Sequence, residues 1–321
     1  MINALVIDKF EAKFGSAPRA LSRLIRPMLI AGPGNTLVWS DWSAIEARVL
    51  PWLAGTPGQH RLELFESCDA DPNLPGLYEI AAGDIYAVDP AKVSKEERQV
   101  GKVAELALGF GGGVGALASM AAAYGLSLDA ALTNRVVDTW RKNNKWATNF
   151  WSQLGEAFQN ARRSPNSQFK AGRVTFVYRP KYLFGTMFMF LPCGRALTYP
   201  ALKTDRVVTE DEYGDELVEY KLRYQSGHTR TTMWHGILAE NVTQATAASL
   251  LRDAIRRCEN NNMWIDLVGH THDELIAECP EDRADNVKAE LTAEMEYVPD
   301  WAEGLPLAAE TTENWFYSKA V

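Results

Sequence analysis

The chain has 321 residues, 46% of them hydrophobic and 23% charged, with a formal net charge of −8. That is globular composition, long enough for one large domain or two smaller ones, and no apolar run reaches the ~18–20 residues of a membrane span. Cys68, Cys193, Cys258 and Cys279 are scattered without a C-x-x-C pair, which argues against disulfide staples or a zinc site and suits a reducing compartment.

Met1 to Phe14 carries Asp8 and Glu11 and lacks a basic start followed by an apolar core, so it does not read as a secretory signal. A helix is expected from Arg19 to Leu29, closed by Gly32-Pro33-Gly34. Thr36 to Ser40 reads as a buried strand, and Ile45 to Leu53 as helical up to Gly55-Thr56-Pro57-Gly58. Residues 56–80, rich in Pro, Gly and Asp, read as a surface excursion. Ser94 and Glu97 form an S-x-x-E capping box, so a helix should start at Lys95. It should run to about Leu108, where Gly109-Phe110-Gly111-Gly112-Gly113 breaks it. Helical, basic and aromatic sequence continues to about Ala161. From Gly172 the texture is strand-like, at Val174 to Tyr178 and Tyr182 to Phe190. Ala239 to Cys258 reads as a long amphipathic helix, and Ile265 to Glu278 as two strands meeting at Gly269 to Asp273.

Two of these runs end alike. Asp41 follows Leu37-Val38-Trp39-Ser40, and Asp273 sits in Gly269-His270-Thr271-His272-Asp273-Glu274. Aspartates at adjacent strand ends can hold two divalent cations about 3.5–4 Å apart, the arrangement that phosphoryl transfer uses. On the helix from Lys95, Arg98, Lys102 and Leu106 share one face at i, i+4, i+8, and Phe110 extends the stripe. Two cations followed by two apolar groups suit a nucleoside triphosphate, phosphates on the cations and base and sugar beyond. The plainer reading is an amphipathic surface helix with Leu106 and Phe110 in the core. Glu46, in the turn leaving the first strand, can line a sugar pocket and exclude a 2′-hydroxyl; a first-turn glutamate favoured by the helix dipole is the plainer reading. Glu274 alternates away from Asp273, and His270 and His272 flank the carboxylate rather than forming a metal pair. The glycines at 111–113 miss the G-x-G-x-x-G offsets and no Gly-Lys-Ser/Thr follows them.

Charge is unevenly spread. Residues 135–181 carry ten Lys and Arg against Asp138 and Glu156, ten minus two giving +8, with Trp140, Trp146, Trp151 and Tyr178 interleaved. Such a stretch reads as a solvated helical face or as a track for a phosphate backbone, and the carboxylate pair favours the track. Acid excess lies at Glu210-Asp211-Glu212 and Asp215-Glu216, a solvated loop or a contact for a basic partner.

Taken together, these residues resemble the family A DNA polymerases in a form similar to bacteriophage versions. Asp41-Trp42-Ser43-Ala44-Ile45-Glu46-Ala47-Arg48 resembles the palm motif D-Y-S-x-I-E-x-R, with tryptophan for the usual tyrosine. Arg98-x-x-x-Lys102-x-x-x-Leu106-x-x-x-Phe110-Gly111 resembles the fingers motif, and His272-Asp273-Glu274 the last palm motif, H-D-E. Asp84-Ile85-Tyr86, Leu191 to Pro200 and Glu240-Asn241-x-x-Gln244 resemble further segments.

The resemblance implies an α+β fold, a right-hand palm with an antiparallel sheet plus helical fingers. Its parts would be a lead-in helix or thumb remnant at 1–35, palm at 36–55, fingers at 56–170 and palm again at 171–321. It implies two Mg2+ ions, or Mn2+ in their place, on Asp41, Asp273 and the Trp42 backbone carbonyl. Lys102 and Glu274 would join the aspartates as catalytic residues. Arg98, Lys102, Glu46, Leu106, Phe110 and Tyr86 would bind the incoming dNTP. Arg48, Arg195, Asn241, Gln244 and His272 would contact primer–template DNA. The activity implied is DNA-directed DNA synthesis in the host cytoplasm, in phage replication, with no membrane association. A single-subunit RNA polymerase, or a DNA-binding relic without activity, are the alternatives. Leu106 and Phe110 depart from the aromatic residue and the tyrosine usual there. About 40 residues precede Asp41, too few for an exonuclease domain or a full thumb, so a separate polypeptide supplying them is expected, this chain being the C-terminal part of a split polymerase.

Overall fold

The computed structural model describes residues 4–210, 216–261 and 265–318. In chain order the elements are α1 (Ala4–Phe14), α2 (Ala17–Ile25), β1 (Asn35–Trp42), α3 (Ile45–Ala54), α4 (Gln59–Ala70), α5 (Leu77–Tyr86), α6 (Lys95–Leu108), α7 (Val114–Ala123), α8 (Ala130–Asn143) and α9 (Lys145–Arg163). Then come β2 (Gln168–Ala171), β3 (Val174–Arg179), β4 (Thr186–Phe190), β5 (Ala196–Tyr199), β6 (Lys203–Glu210), β7 (Glu216–Ser226) and β8 (Thr229–Thr232). The chain closes with α10 (His235–Asn261), β9 (Asp266–Thr271), β10 (Glu274–Pro280), α11 (Ala284–Glu296) and β11 (Ala309–Asn314). Among the described residues no helix is long and apolar enough to cross a membrane.

The chain divides into two compact units. The first comprises residues 1–43, 250–297 and 307–321. Its centre is an antiparallel sheet in the order β11-β1-β10-β9. β1 is an inner strand buried on both faces, so its hydrophobic run is continuous rather than alternating. On one face Leu37 and Trp39 pack with Ile276 and Tyr317. On the other, Ser40 accepts a hydrogen bond from Thr311, which lies 2.6 Å from Thr292 of α11, and the Trp42 indole donates to the Met295 carbonyl at 2.7 Å.

The second unit comprises residues 44–249 and 298–306. It holds α3 to α9, a sheet in the order β2-β3-β4-β5 and a smaller one in the order β6-β7-β8. α5 lies against α6 so closely that Gly101 has room for no side chain: a Cβ there would run into the Tyr78 carbonyl oxygen and come within 2.9 Å of the Ala82 nitrogen. α9 lies over β2 and β3.

Several expectations are corrected. The helix from Arg19 stops at Ile25, and Pro27 turns residues 26–28 into a single 3-10 turn. Residues 59–70 form α4 rather than a surface excursion. Their Pro, Gly and Asp signals fall at the helix ends, and Leu62 and Phe65 are buried. Tyr182 to Gly185 is a turn, with Leu183 and Phe184 at φ 42° and 60°, so β4 begins only at Thr186. α10 is longer than expected, and β6–β8, α11 and β11 were not anticipated. Of the acidic stretch 210–216, residues 211–215 lie outside the described residues. Trp140, Trp146 and Trp151 are core side chains, Trp140 stacking on Trp151 at 5.9 Å, so they offer no platform for bases. The helical period of α8 and α9 turns them inward while Lys142, Lys145 and Arg163 stay exposed.

Candidate active site

In the first unit, Asp41 lies opposite Glu274 in the β1–β10 register. β9 and β10 are joined through His272 and Asp273, with His272 in the left-handed region at φ 55°. This turn folds against the end of β1, where the Trp42 N–H donates to the Asp273 carbonyl at 3.4 Å. The Asp41 and Asp273 side chains come within hydrogen-bonding reach of each other. Burial, then the Asp41 charge and hydrogen bond, raise the Asp273 carboxyl above the ordinary range, against an opposing pull from His272. His272 Nδ1 lies 3.2 Å from Asp273 Oδ1, and the rest of its ring is exposed.

Two carboxylates held this close repel unless a proton or cation lies between them. Hard oxygen donors of this kind suit Mg2+ or Mn2+, and Mg2+ takes only one or two carboxylates, completing its shell with water and substrate phosphate. Among the described residues no group of three or more His, Cys, Asp and Glu side chains is arranged to hold a metal. Glu274 is different. Its side chain is buried and accepts a hydrogen bond from the Tyr317 hydroxyl, whose pKa burial and Glu274 raise. Tyr317 meets the Trp39 ring edge-on at 5.5 Å. Glu274 thus anchors the strand beside Asp41 in the core and does not face outward with Asp273.

In the second unit, α6 starts as the spacing predicts. The Ser94 side chain accepts from the Glu97 N–H, and Glu97 accepts from the Ser94 N–H. Arg98 is exposed, lies 5.3 Å from the Tyr78 ring and pairs with Glu79. Lys102 sits between the rings of Tyr78 and Tyr124, at 5.9 and 5.7 Å. Leu106 and Phe110 are only half-buried. They line a cavity of about 40 Å³ with Glu46, Leu50 and Tyr78. The carboxylate expected in a sugar pocket and the two apolar groups expected beyond the phosphates therefore share one space. Tyr78 was not anticipated. Tyr86, expected there, lies two turns along α5 with its ring 5.9 Å from Arg135, and it does not line the cavity. Gly111, at φ 81°, ends the segment against Trp234 and His235.

No protein-family model matches the chain. It is 35% identical over 316 residues to a DNA polymerase of Bacillus phage SP02, a match covering 97% of this chain and 46% of that protein. It is 24% identical over 307 residues to DNA polymerase I of Chloroflexus aurantiacus, covering 89% of this chain and 26% of that one. Its fold is like that of the POL domain of Pol1 from M. smegmatis, solved in complex with DNA primer-template and dNTP. That likeness has a TM-score of 0.59 at 17% identity and covers 95% of this chain and 44% of that one. The chain is thus similar in sequence to DNA polymerases, and its fold is like that of a Pol1 polymerase domain. It spans about half the length of the phage relative and about a quarter of the bacterial one.

The residues expected to touch DNA fall into different settings. Arg48 is 2% exposed, forms a two-pronged pair with Asp69 at 2.6 and 2.7 Å, and lies 4.4 Å from the Phe65 ring. That corrects the expectation of a primer–template contact: a buried guanidinium must be paired, and this one is committed to Asp69. Gln244 is exposed on α10, one turn from Asn241, which donates to the Tyr199 hydroxyl at 3.2 Å. Arg195 donates to Ser249 Oγ at 3.0 Å. Arg141 donates to the Gly112 carbonyl and so braces the glycine run after α6.

Proposed function

We propose that the chain is the palm-and-fingers part of a DNA-directed DNA polymerase acting in phage replication in the host cytoplasm. In this reading it adds deoxynucleotides from dNTPs to a primer 3′-hydroxyl under the direction of a template. The observation that carries the proposal is the carboxylate pair, Asp41 and Asp273, at adjoining strand ends with the proton affinity of Asp273 raised. The cavity shared by Glu46, Tyr78, Leu106 and Phe110 beside Lys102 supports it.

Asp41, Asp273 and the Trp42 carbonyl would hold two Mg2+ ions, which when bound supply Lewis-acid activation of the primer hydroxyl and charge neutralisation at the phosphates. Arg98 and Lys102 hold the β- and γ-phosphates and orient the α-phosphorus for in-line attack. The primer 3′ oxygen, its hydroxyl proton passing to water, forms the new bond to that phosphorus, and the bond to the bridging oxygen of pyrophosphate breaks. The Lys102 ammonium donates a proton to the departing oxygen. Glu46 leaves neither room nor partner for a 2′-hydroxyl, and Phe110 lies against the base end of the nucleotide. Gln244, Asn241, Arg195 and His272 are assigned to the primer–template. The phage relative is about twice as long, which supports assigning the thumb and exonuclease to further polypeptide, on the same or a separate chain. The test offers four labelled dNTPs on templates differing at one base, with Mg2+. Incorporation that follows the template base supports the proposal; template-independent addition or none contradicts it.

A further inference from the structure

The guanidinium that the proposed function assigns to the triphosphate already has an anion. Glu79, in the first turn of α5, pairs with Arg98 Nε across the α5–α6 contact. Both partners reach solvent, with 44% of the Arg98 side chain and 25% of the Glu79 side chain exposed, so the pair is a weak one. The Glu79 carboxylate has a second source of stabilisation. Its other oxygen lies back over Gly76, at the amino end of α5, close enough that a Cβ on Gly76 would approach it to 3.1 Å. Unbonded N–H groups and the helix dipole favour negative charge there. The amino end of α5 therefore still favours the Glu79 charge when Arg98 turns away. Arg98 meanwhile keeps the Tyr78 ring at 5.3 Å as a surface to pivot on.

We infer that Glu79 is an exchangeable counter-ion for Arg98: it occupies the guanidinium between turnovers, yields it to the phosphates of an incoming nucleotide, and reclaims it as pyrophosphate leaves. This rests on the triphosphate reading of α6. A phosphate anion binding at Arg98 must displace the carboxylate and then lie near its negative charge, so Glu79 weakens every phosphate ligand of this helix. The same exchange speeds product release, because the returning carboxylate replaces the pyrophosphate charge that Arg98 loses. Glu79 is a positioning residue acting through Arg98, and its signature lies in KM and in product inhibition more than in kcat.

The experiment measures binding of dATP and of inorganic pyrophosphate to the full chain by calorimetry, for the unaltered protein, Glu79→Gln and Glu79→Asp. Steady-state KM for dATP and Ki for pyrophosphate are measured alongside. Glu79→Gln, which keeps shape and loses charge, is expected to bind both ligands about 3–10-fold more tightly, with KM and Ki falling together. Glu79→Asp keeps the charge and is expected to stay near the unaltered values. If the unaltered chain binds dATP and Glu79→Gln binds it equally or less well, Glu79 orients Arg98 rather than competing for it, and this inference is overturned. If neither protein binds dATP or pyrophosphate, the triphosphate reading of α6 fails and this inference falls with it.

Discussion

Replacing Gly101 by alanine sets two effects of opposite sign against each other. Gly101 is inside α6, where glycine is about 1 kcal/mol worse than alanine, so propensity alone predicts stabilisation. The space says otherwise. The added Cβ would overlap the Tyr78 carbonyl oxygen of α5 and lie 2.9 Å from the Ala82 nitrogen and 3.1 Å from its Cβ. Two of these neighbours are backbone atoms, which no rotamer change moves. A carbon ordinarily approaches a carbonyl oxygen no closer than about 3.3 Å, so the helices must part by roughly 1 Å. Overpacking of this kind costs about 1–3 kcal/mol, and net of propensity the loss is up to about 2 kcal/mol. In a unit of about 200 residues that lowers Tm by up to about 8 °C. The displaced residue, Tyr78, is the one lying against Arg98 and Lys102. A shift of about 1 Å in such a site costs up to about 100-fold in kcat/KM for the nucleotide. Gly155→Ala is the control: it lies inside α9 and its Cβ would meet only His235 Cβ, at an ordinary 3.8 Å. It is expected to gain up to about 1 kcal/mol. Urea unfolding and single-nucleotide kinetics on both variants decide the matter. A Gly101→Ala protein as stable as Gly155→Ala, with normal nucleotide kinetics, would refute the reasoning.

Removing charge from the carboxylate pair should separate stability from activity. Asp273→Asn is expected to leave the metal-free chain no less stable at pH 7, because burial and Asp41 oppose the charged form of Asp273, while incorporation falls by several kcal/mol of transition-state stabilisation; thermal unfolding in EDTA and primer extension in Mg2+ check the two halves. Glu46→Ala should raise the ribonucleotide-to-deoxyribonucleotide ratio of kcat/KM, since the Glu46 carboxylate lines the cavity with Leu106 and Phe110; an unmoved ratio would make Glu46 structural. Burial pushes the Cys258 thiol up to about 11 from 9.0, so folding favours its protonated form. Its contribution is fully present below pH 9 and is lost as pH rises through about 11, and Cys258→Ala should flatten the fall of the urea midpoint over that window.

What was legible in the chain, and what was not, follows from where the physical signal lay. β1, α6 and the β9–β10 pair were readable because each carries a local mark: a continuous apolar run, a capping box, a polar turn between strands. The three motifs carried the fold because their order along the chain survives without any knowledge of contacts. The β6–β8 sheet left no such mark. Its strands are exposed enough that Val208, Leu217, Val218 and Tyr220 all face solvent, so no alternation records an inner face. α4 was hidden by turn residues that belong to its ends. Tyr78 and Glu79 were invisible for another reason. They lie twenty and nineteen residues before Arg98, on a different helix, and the close α5–α6 packing that Gly101 permits is what brings them beside it. Arg48 shows the limit of a motif: the residue type matches, yet its guanidinium is spent on Asp69 within the core.

The central claim is that Asp41 and Asp273 support nucleotidyl transfer from a triphosphate held by Arg98 and Lys102. Single-turnover incorporation of one labelled dNTP, with saturating primer–template and Mg2+ and no need for processive synthesis, tests it most directly. The expected result is one added nucleotide matched to the template, abolished by EDTA, by Asp41→Ala and by Asp273→Ala, and slowed in the chemical step by Lys102→Ala. Equal incorporation by Asp41→Ala, or no incorporation by the unaltered chain under these conditions, would contradict it.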